Sequence, residues 1–279
     1  MPRFIWHAAL WALCAALASA CTSSQKAPET PQQYAENARI AYEEALVEYF
    51  DGDWEIAIPM FEEVRRQYAY SRYARLAALR IGDAQFERGN YAEAAAAYRG
   101  FVHDYPNDVD IPYARFKAAK SLFEDSSETI LMPPLEERDL VTVFDAYRAI
   151  RGMLEDYPTY KRRPELMYMF EVVSGQLARH ELYVARFYMK DQLFEAAVAR
   201  AKYALEHYPG SGLAPEALVL LGEIYLMMQR DDAAREAFRR VLDEYPASAF
   251  TVPARGFLKK MDGSAVAAAG ATAVLTRDP

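Results

Sequence analysis

Past position 21 the chain has no cysteine, and its two, Cys14 and Cys21, both lie at the extreme N-terminus. A disulfide, a CxxC pair or a cysteine zinc site in the folded body is thereby excluded. Histidine is nearly as scarce. His7, His103, His180 and His207 stand apart, none with a cysteine or carboxylate at metal-ligand spacing. HExxH, GxSxG, GxGxxG and a phosphate loop are all missing. No catalytic residue, metal or cofactor is therefore expected, and the chain does not read as an enzyme. Glycine contributes only 12 of 279 residues, few for the turns of a many-stranded sheet. Basic charge is in deficit, with 32 Lys and Arg against 40 Asp and Glu. Arg3 is the one charged residue among the first twenty, so cleavage there would leave 31 against 40. That balance opposes nucleic-acid binding, which draws most of its non-specific affinity from a basic surface. What is plentiful is apolar surface (52%) and tyrosine (20 residues), the makings of a helical core packed with aromatics.

The first residues read as an address. Arg3 is followed by the apolar run Phe4–Leu17, broken only by His7, and then by Ala18-Ser19-Ala20-Cys21. This is the order of a secretory signal, and the run is too short for a transmembrane helix, which needs about 20 residues. Leu17-Ala18-Ser19-Ala20-Cys21 resembles a bacterial lipobox, with Ala18 where that motif usually has leucine. The resemblance implies cleavage after residue 20 and lipidation of Cys21. The alternative is an ordinary signal cut at Ala18-x-Ala20, with Cys21 a bystander. Residues 21–33, rich in Ser, Thr, Pro, Glu and Gln, cannot build a core and read as a tether. Thr22 is not the aspartate that holds enterobacterial lipoproteins at the inner membrane. By that resemblance the destination is the outer membrane, periplasmic face, with the lipid anchor as the only membrane contact.

Residues 34–262 carry a repeat. Tyr68, Tyr105, Tyr157, Tyr208 and Tyr245 stand 37, 52, 51 and 37 apart, and all but Tyr68 precede a proline. Eleven residues ahead of each tyrosine is an alanine: Ala57, Ala94, Ala146, Ala197 and Ala234. One helical turn later come Phe61, Tyr98, Ile150, Ala201 and Phe238. A small residue lets two helices approach, and a large one a turn later fills the space beside them. The last repeat, Leu218-x2-Leu221-Gly222-x2-Tyr225, Ala234-x3-Phe238, Pro246, matches the tetratricopeptide pattern. The expected fold is all-α: a solenoid of about five tetratricopeptide-type hairpins (34–69, 72–106, 112–158, 164–209, 213–246), with a capping helix over 250–261 and a disordered tail over 263–279. Gly210-Ser211-Gly212 fits a turn between hairpins. Glu62-Glu63 and Asp231-Asp232 fit solvated helix ends, and Tyr183, Phe187, Tyr188 and Met189 fit packing.

Two repeats are stretched. Glu124–Arg138, with Met132-Pro133-Pro134, reads as a loop inserted in the third hairpin, and the first helix of the fourth runs unbroken over about 164–190. With the lipobox, the loop before the helix that ends Glu155-Asp156-Tyr157-Pro158, and the segment Leu177–Tyr188 leading into Phe194–Arg200, the chain resembles the BamD family, the tetratricopeptide-repeat lipoprotein of the outer-membrane β-barrel assembly machinery. The resemblance covers about 34–261. It implies a non-enzymatic scaffold that binds the periplasmic domains of the central barrel subunit through its C-terminal repeats. Its N-terminal repeats would receive unfolded outer-membrane proteins by their C-terminal strand, and accessory lipoproteins are further partners. Arg200, which interrupts the apolar run 196–205 and so needs water or an acidic partner, is a candidate contact. Lys161-Arg162-Arg163, the one dense basic cluster of the body, is a second, for an acidic segment. Tyr70, Arg72 and Tyr73, on the loop after the first hairpin, suit an extended peptide with a terminal carboxylate. Each has a plainer reading, as solvent face, solvated loop or junction packing. Ala69 in place of proline, and a first helix of repeat three that reads Tyr113-Ala114-Arg115-Phe116-Lys117, depart from the family pattern. Other envelope repeat scaffolds, in cell division or peptidoglycan coordination, share the hairpins. An envelope enzyme on a helical-repeat framework would need a polar pocket of converging titratable groups.

Overall fold

A computed structural model of the chain describes residues 30–126 and 140–275, with side chains to 263. Within these residues there are eleven α-helices and no strand. They are α1 (Pro31–Asp51), α2 (Trp54–Gln67), α3 (Arg72–Glu87), α4 (Tyr91–Asp104), α5 (Ile111–Asp125), α6 (Val141–Asp156), α7 (Arg163–Lys190), α8 (Phe194–His207), α9 (Ala214–Met227), α10 (Asp231–Glu244) and α11 (Thr251–Leu275). Each helix packs on the next, α1 with α2, α3 with α4 and so on to α9 with α10, with α11 laid against α10. The fold is a solenoid of tetratricopeptide-type hairpins. The signal segment, Cys21, residues 127–139, which take in most of the expected loop, and the last four residues lie outside the described residues.

The tyrosine marker has one geometry throughout. Each of the five sits just past a second helix, with φ between −116° and −132°. Its N–H closes the last helical bond, as Tyr68 does to the Val64 carbonyl at 2.9 Å, and its own carbonyl accepts from the residue three further on. Ala69 occupies this turn as the prolines do, with Ser71 N–H donating to Tyr68 O at 2.9 Å.

The alanines Ala57, Ala94, Ala146, Ala197 and Ala234 are all completely buried, as are Phe61, Tyr98, Ile150, Ala201 and Phe238 a turn later. In two hairpins the facing position on the first helix is glycine. A Cβ at Gly82 would lie 2.7 Å from the Tyr98 ring, and one at Gly222 would overlap Phe238. Ala45 and Ala185 hold the equivalent place in hairpins one and four, and both are fully buried. Hairpin four, with Ala201 where the others have a large residue, has less to accommodate. Burying a Phe or Ile at such a site is worth about 1.5–3 kcal/mol, so these contacts carry much of the stacking energy.

Two ends differ from expectation. The first helix starts at Pro31, inside the segment read as tether, because Thr30 and Gln33 form a capping box: Gln33 N–H donates to Thr30 Oγ1 at 3.3 Å and Thr30 N–H to Gln33 Oε1 at 3.0 Å. The last helix does not stop at Met261 but runs to Leu275. Residues 262–275 are alanine-rich and contain no proline, and alanine is the strongest helix former, so the backbone that reads as a disordered tail continues the helix.

Candidate functional site

Neighbouring first helices touch one another, α1 with α3, α5 with α7 and α7 with α9, whereas the corresponding second helices are farther apart. The first helices therefore line the inner face of the rod, the face on which a polypeptide could lie. Asp83, on α3, is the centre of this face at its N-terminal end. It is 3% exposed and accepts from Tyr98 OH at 2.6 Å, from Tyr113 OH at 2.5 Å and from Arg80. Arg80 also reaches Tyr42 of α1. One carboxylate thus ties α1, α3, α4 and α5. Burial, then the Asp83 charge, pushes the Tyr98 and Tyr113 phenols well above their ordinary range, so both stay neutral donors. Farther along the row Lys120 and Arg162 both pair with Glu165 of α7, at 2.9 and 2.7 Å. Between the two clusters Lys117 lies over the Phe86 ring at 3.7 Å. Of this row, sequence reasoning singles out only Arg162, within the basic triple. Its one further signal is Asp83, a carboxylate set among Ala77, Ala78, Leu79, Ile81 and Ala84.

Arg200 stands on α8, 45% exposed, with its guanidinium 3.1 Å from Glu181 of α7, whose side chain is 8% exposed. An acidic partner for Arg200 is thus found inside the chain, while its side chain remains close to half exposed. The hydrogen bond to Glu181 is the main cause of a raised Arg200 pKa. The pair borders a cleft of about 540 Å³ lined by Leu140, Val141, Phe144, His180 and Tyr203. Val141 and Phe144 are 61% and 38% exposed there. Tyr203 stacks on His207 at 3.8 Å.

The basic triple is divided. Arg162 pairs with Glu165 and packs over Phe116 at 4.9 Å, and Arg163 donates to the Leu154 carbonyl at 3.2 Å. Arg162 thus ties the start of α7 to α5, Arg163 ties it to α6, and Lys161 stands exposed beside them. In the N-terminal loop Tyr70 is 98% exposed, its N–H accepted by Tyr34 OH at 3.3 Å. Arg72 donates to Tyr73 OH at 2.7 Å, and the Tyr73 ring packs on Tyr42 at 5.6 Å. Tyr73 is thus part of the junction between hairpins, and Tyr70 projects from it. Among the described residues no group of three or more His, Cys, Asp or Glu side chains could hold a metal ion, and no helix is long and apolar enough to cross a membrane.

Residues 34–239 match the family model described as "YfiO: Outer membrane lipoprotein". The chain is 28% identical over 232 residues to the outer membrane protein assembly factor BamD of Caulobacter vibrioides, spanning 80% of this chain and 70% of that one. It is 24% identical over 226 residues to the BamD of Pasteurella multocida, at 80% and 85% coverage. Similar solved structures include MamA from Desulfovibrio magneticus RS-1, 14% identical with a TM-score of 0.37, covering 76% of this chain and 97% of that one. A thermophilic TPR protein of Thermus thermophilus is 18% identical with a TM-score of 0.33, at 79% and 98% coverage.

Proposed function

The chain belongs to the YfiO, or BamD, family of outer membrane lipoproteins, and on that premise we propose that it is a non-enzymatic assembly factor for outer-membrane β-barrel proteins. Cys21 carries the lipid after the signal is removed, and the solenoid hangs from it at the periplasmic face of the outer membrane. Several acyl chains make a stable anchor, at about 0.8 kcal/mol per buried methylene. The C-terminal repeats bind periplasmic domains of the central barrel subunit. Accessory lipoproteins bind elsewhere on the rod. The N-terminal inner face receives unfolded barrel proteins, with Tyr70, Arg72 and Tyr73 at its entrance.

The observation that most supports this reading is the family match across 34–239, which takes in both stretched repeats and not only the hairpins that any repeat scaffold shares. The cleft beside Arg200 suits the partner contact. It offers exposed Val141 and Phe144 next to an arginine whose side chain is close to half exposed. An apolar patch with a charge at its rim is the usual anatomy of a protein interface. Lys161 is the member of the basic triple left to meet an acidic segment.

Affinity purification of the tagged chain from detergent-solubilised outer membranes tests the reading. The central barrel-assembly subunit is expected in the eluate, and its absence under conditions that recover the chain itself overturns the proposal. Replacing Cys21 with alanine is expected to move the protein from the membrane fraction to the soluble periplasm. Unchanged retention after a urea wash that strips subunits held by protein contacts alone would show Cys21 to be a bystander.

A further inference from the structure

Along the outer face of the rod the second helices stand apart, and two of the gaps between them are bridged. Arg65 of α2 reaches Asp104 of α4 at 3.7 Å. Tyr147 of α6 donates from its hydroxyl to the His207 carbonyl of α8 at 3.1 Å, and its ring meets Tyr208 edge to face. Between α4 and α6 the gap is instead a cleft of about 390 Å³. Its floor is apolar. Ala118 and Leu122 of α5 are buried there, and Val102 and Ala149 stand partly buried on the flanking helices. Its rim is basic, with Arg99 of α4, Arg115 of α5 and Arg148 of α6 set against a single carboxylate, Asp145. Two of the three arginines are answered within the chain: Arg148 by Asp145, and Arg115 by Asp156 at 2.6 Å and by the Tyr157 ring. Arg99 is exposed and has no carboxylate partner among the described residues.

We propose that this cleft is a docking site for a short acidic segment of a partner polypeptide. The segment sets an aliphatic or aromatic side chain on the floor and carries Asp or Glu beside it to meet the rim, Arg99 first. Complementarity identifies the occupant. The chain has a net charge of −8, so most of its surface repels an acidic segment and the arginine rim draws it in. The planar guanidinium fork matches a carboxylate. An apolar floor gains only when a side chain displaces water from it, which a phosphate or lipid headgroup alone does not do. The cleft shares no residue with the inner-face row or with the cleft beside Arg200. The inference therefore goes beyond the assembly-factor reading and does not depend on it.

The test is a selection of phage-displayed random peptides on the full chain in detergent micelles, followed by fluorescence polarisation of the enriched sequences. These are expected to place Leu, Ile or Phe beside Asp or Glu. Arg99→Glu should weaken their binding roughly tenfold, the scale of one hydrogen bond to a charged group. Arg239→Glu, at the same register position of hairpin five and equally exposed, should leave it unchanged. Because Arg99 is exposed and unpaired, its variant is expected to keep the parent's melting temperature, so lost binding is not lost folding. No enrichment, enrichment without acidic residues, or acidic peptides indifferent to Arg99→Glu would each overturn the inference. Two other occupants have their own signatures. Displacement of the peptides by phosphatidylglycerol in the micelles, and not by phosphatidylcholine, would assign the cleft to lipid headgroups. Self-association of the chain in sedimentation, lost in Arg99→Glu, would assign it to a second copy. Either result overturns the inference.

Discussion

At four turns between the helices of a hairpin the chain enters the left-handed region five residues ahead of the marker alanine. Gly52 and Gly89 do so with φ of +86° and +78°, but Gln192 and Gln229 do so at +62° and +58°. A residue with a Cβ is strained there by about 1–2 kcal/mol, part of which glycine's greater unfolded-state entropy offsets. Gln229→Gly is therefore expected to raise stability by about 0.5–1 kcal/mol, read as a higher urea midpoint with an unchanged slope. At Gly222 the opposite holds. The Phe238 ring fills the space a methyl would need, so Gly222→Ala should cost about 1–3 kcal/mol by overpacking, although alanine is the better helix former. A variant as stable as the parent would show the two helices to be less closely set. Arg200→Ala makes a third case, because it strands the buried Glu181 carboxylate. The melting temperature is expected to fall, and to recover when Glu181→Gln is added. That double variant separates loss of a partner contact from loss of stability, since it restores the second without restoring the first.

Among the helices, α7 is the departure. It has 28 residues where the first helices of hairpins two, three and five have 16, 15 and 14. Its N-terminal half packs Leu166, Met169 and Val173 into the core beside α6, and its C-terminal half sets Ala185 against α8. One helix thus closes the third hairpin and opens the fourth, which is why the repeat spacing lengthens there without breaking the alanine register. The N-terminal helices are joined differently, through Asp83. Asp83→Ala would leave the buried Tyr98 hydroxyl without its acceptor and cut the tie to Tyr113. The expected loss is about 2–4 kcal/mol in urea unfolding, against about 1 kcal/mol for Tyr113→Phe, which removes one bond and strands little. Near-equal losses would mean that Asp83 does not join the helices.

For the whole molecule, the core is a string of four apolar clusters among the described residues, several of them spanning the boundary between hairpins. Stability of such a rod is close to a sum of neighbour interfaces, so one overpacked joint should be felt along its length. Ala197→Trp and Ala234→Trp are each expected to lower the melting temperature, and an unchanged value in both would contradict the register. Alkali acts on several joints together. Burial raises the phenol pKa of Tyr98, Tyr113 and Tyr208. A group whose folded pKa is raised contributes stability that is complete below its unfolded value and is lost as pH climbs toward the folded one. The melting temperature should therefore hold up to about pH 10, the ordinary phenol value, and fall beyond it. Phenolate absorbance from these three tyrosines should appear only with unfolding.

Residue size at a fixed interval is a local property of the chain, and it is enough to specify helices, hairpins and the packing order. Two helices can meet closely only where a small side chain lets them, and Ala57, Ala94, Ala146, Ala197 and Ala234 state that spacing outright. The end of the last helix is not legible in the same way, because alanine-rich composition suits both a solvated tail and a helix, and only the backbone's continuation past Met261 separates them. Which charges find partners depends on residues far apart in the chain. Arg200 meets Glu181 across a helix pair, Arg162 and Lys120 converge on Glu165, and Asp83 draws tyrosines from α4 and α5. Lys117 likewise meets the Phe86 ring of α3 only because the helices stack, and no local pattern in the sequence foretells it.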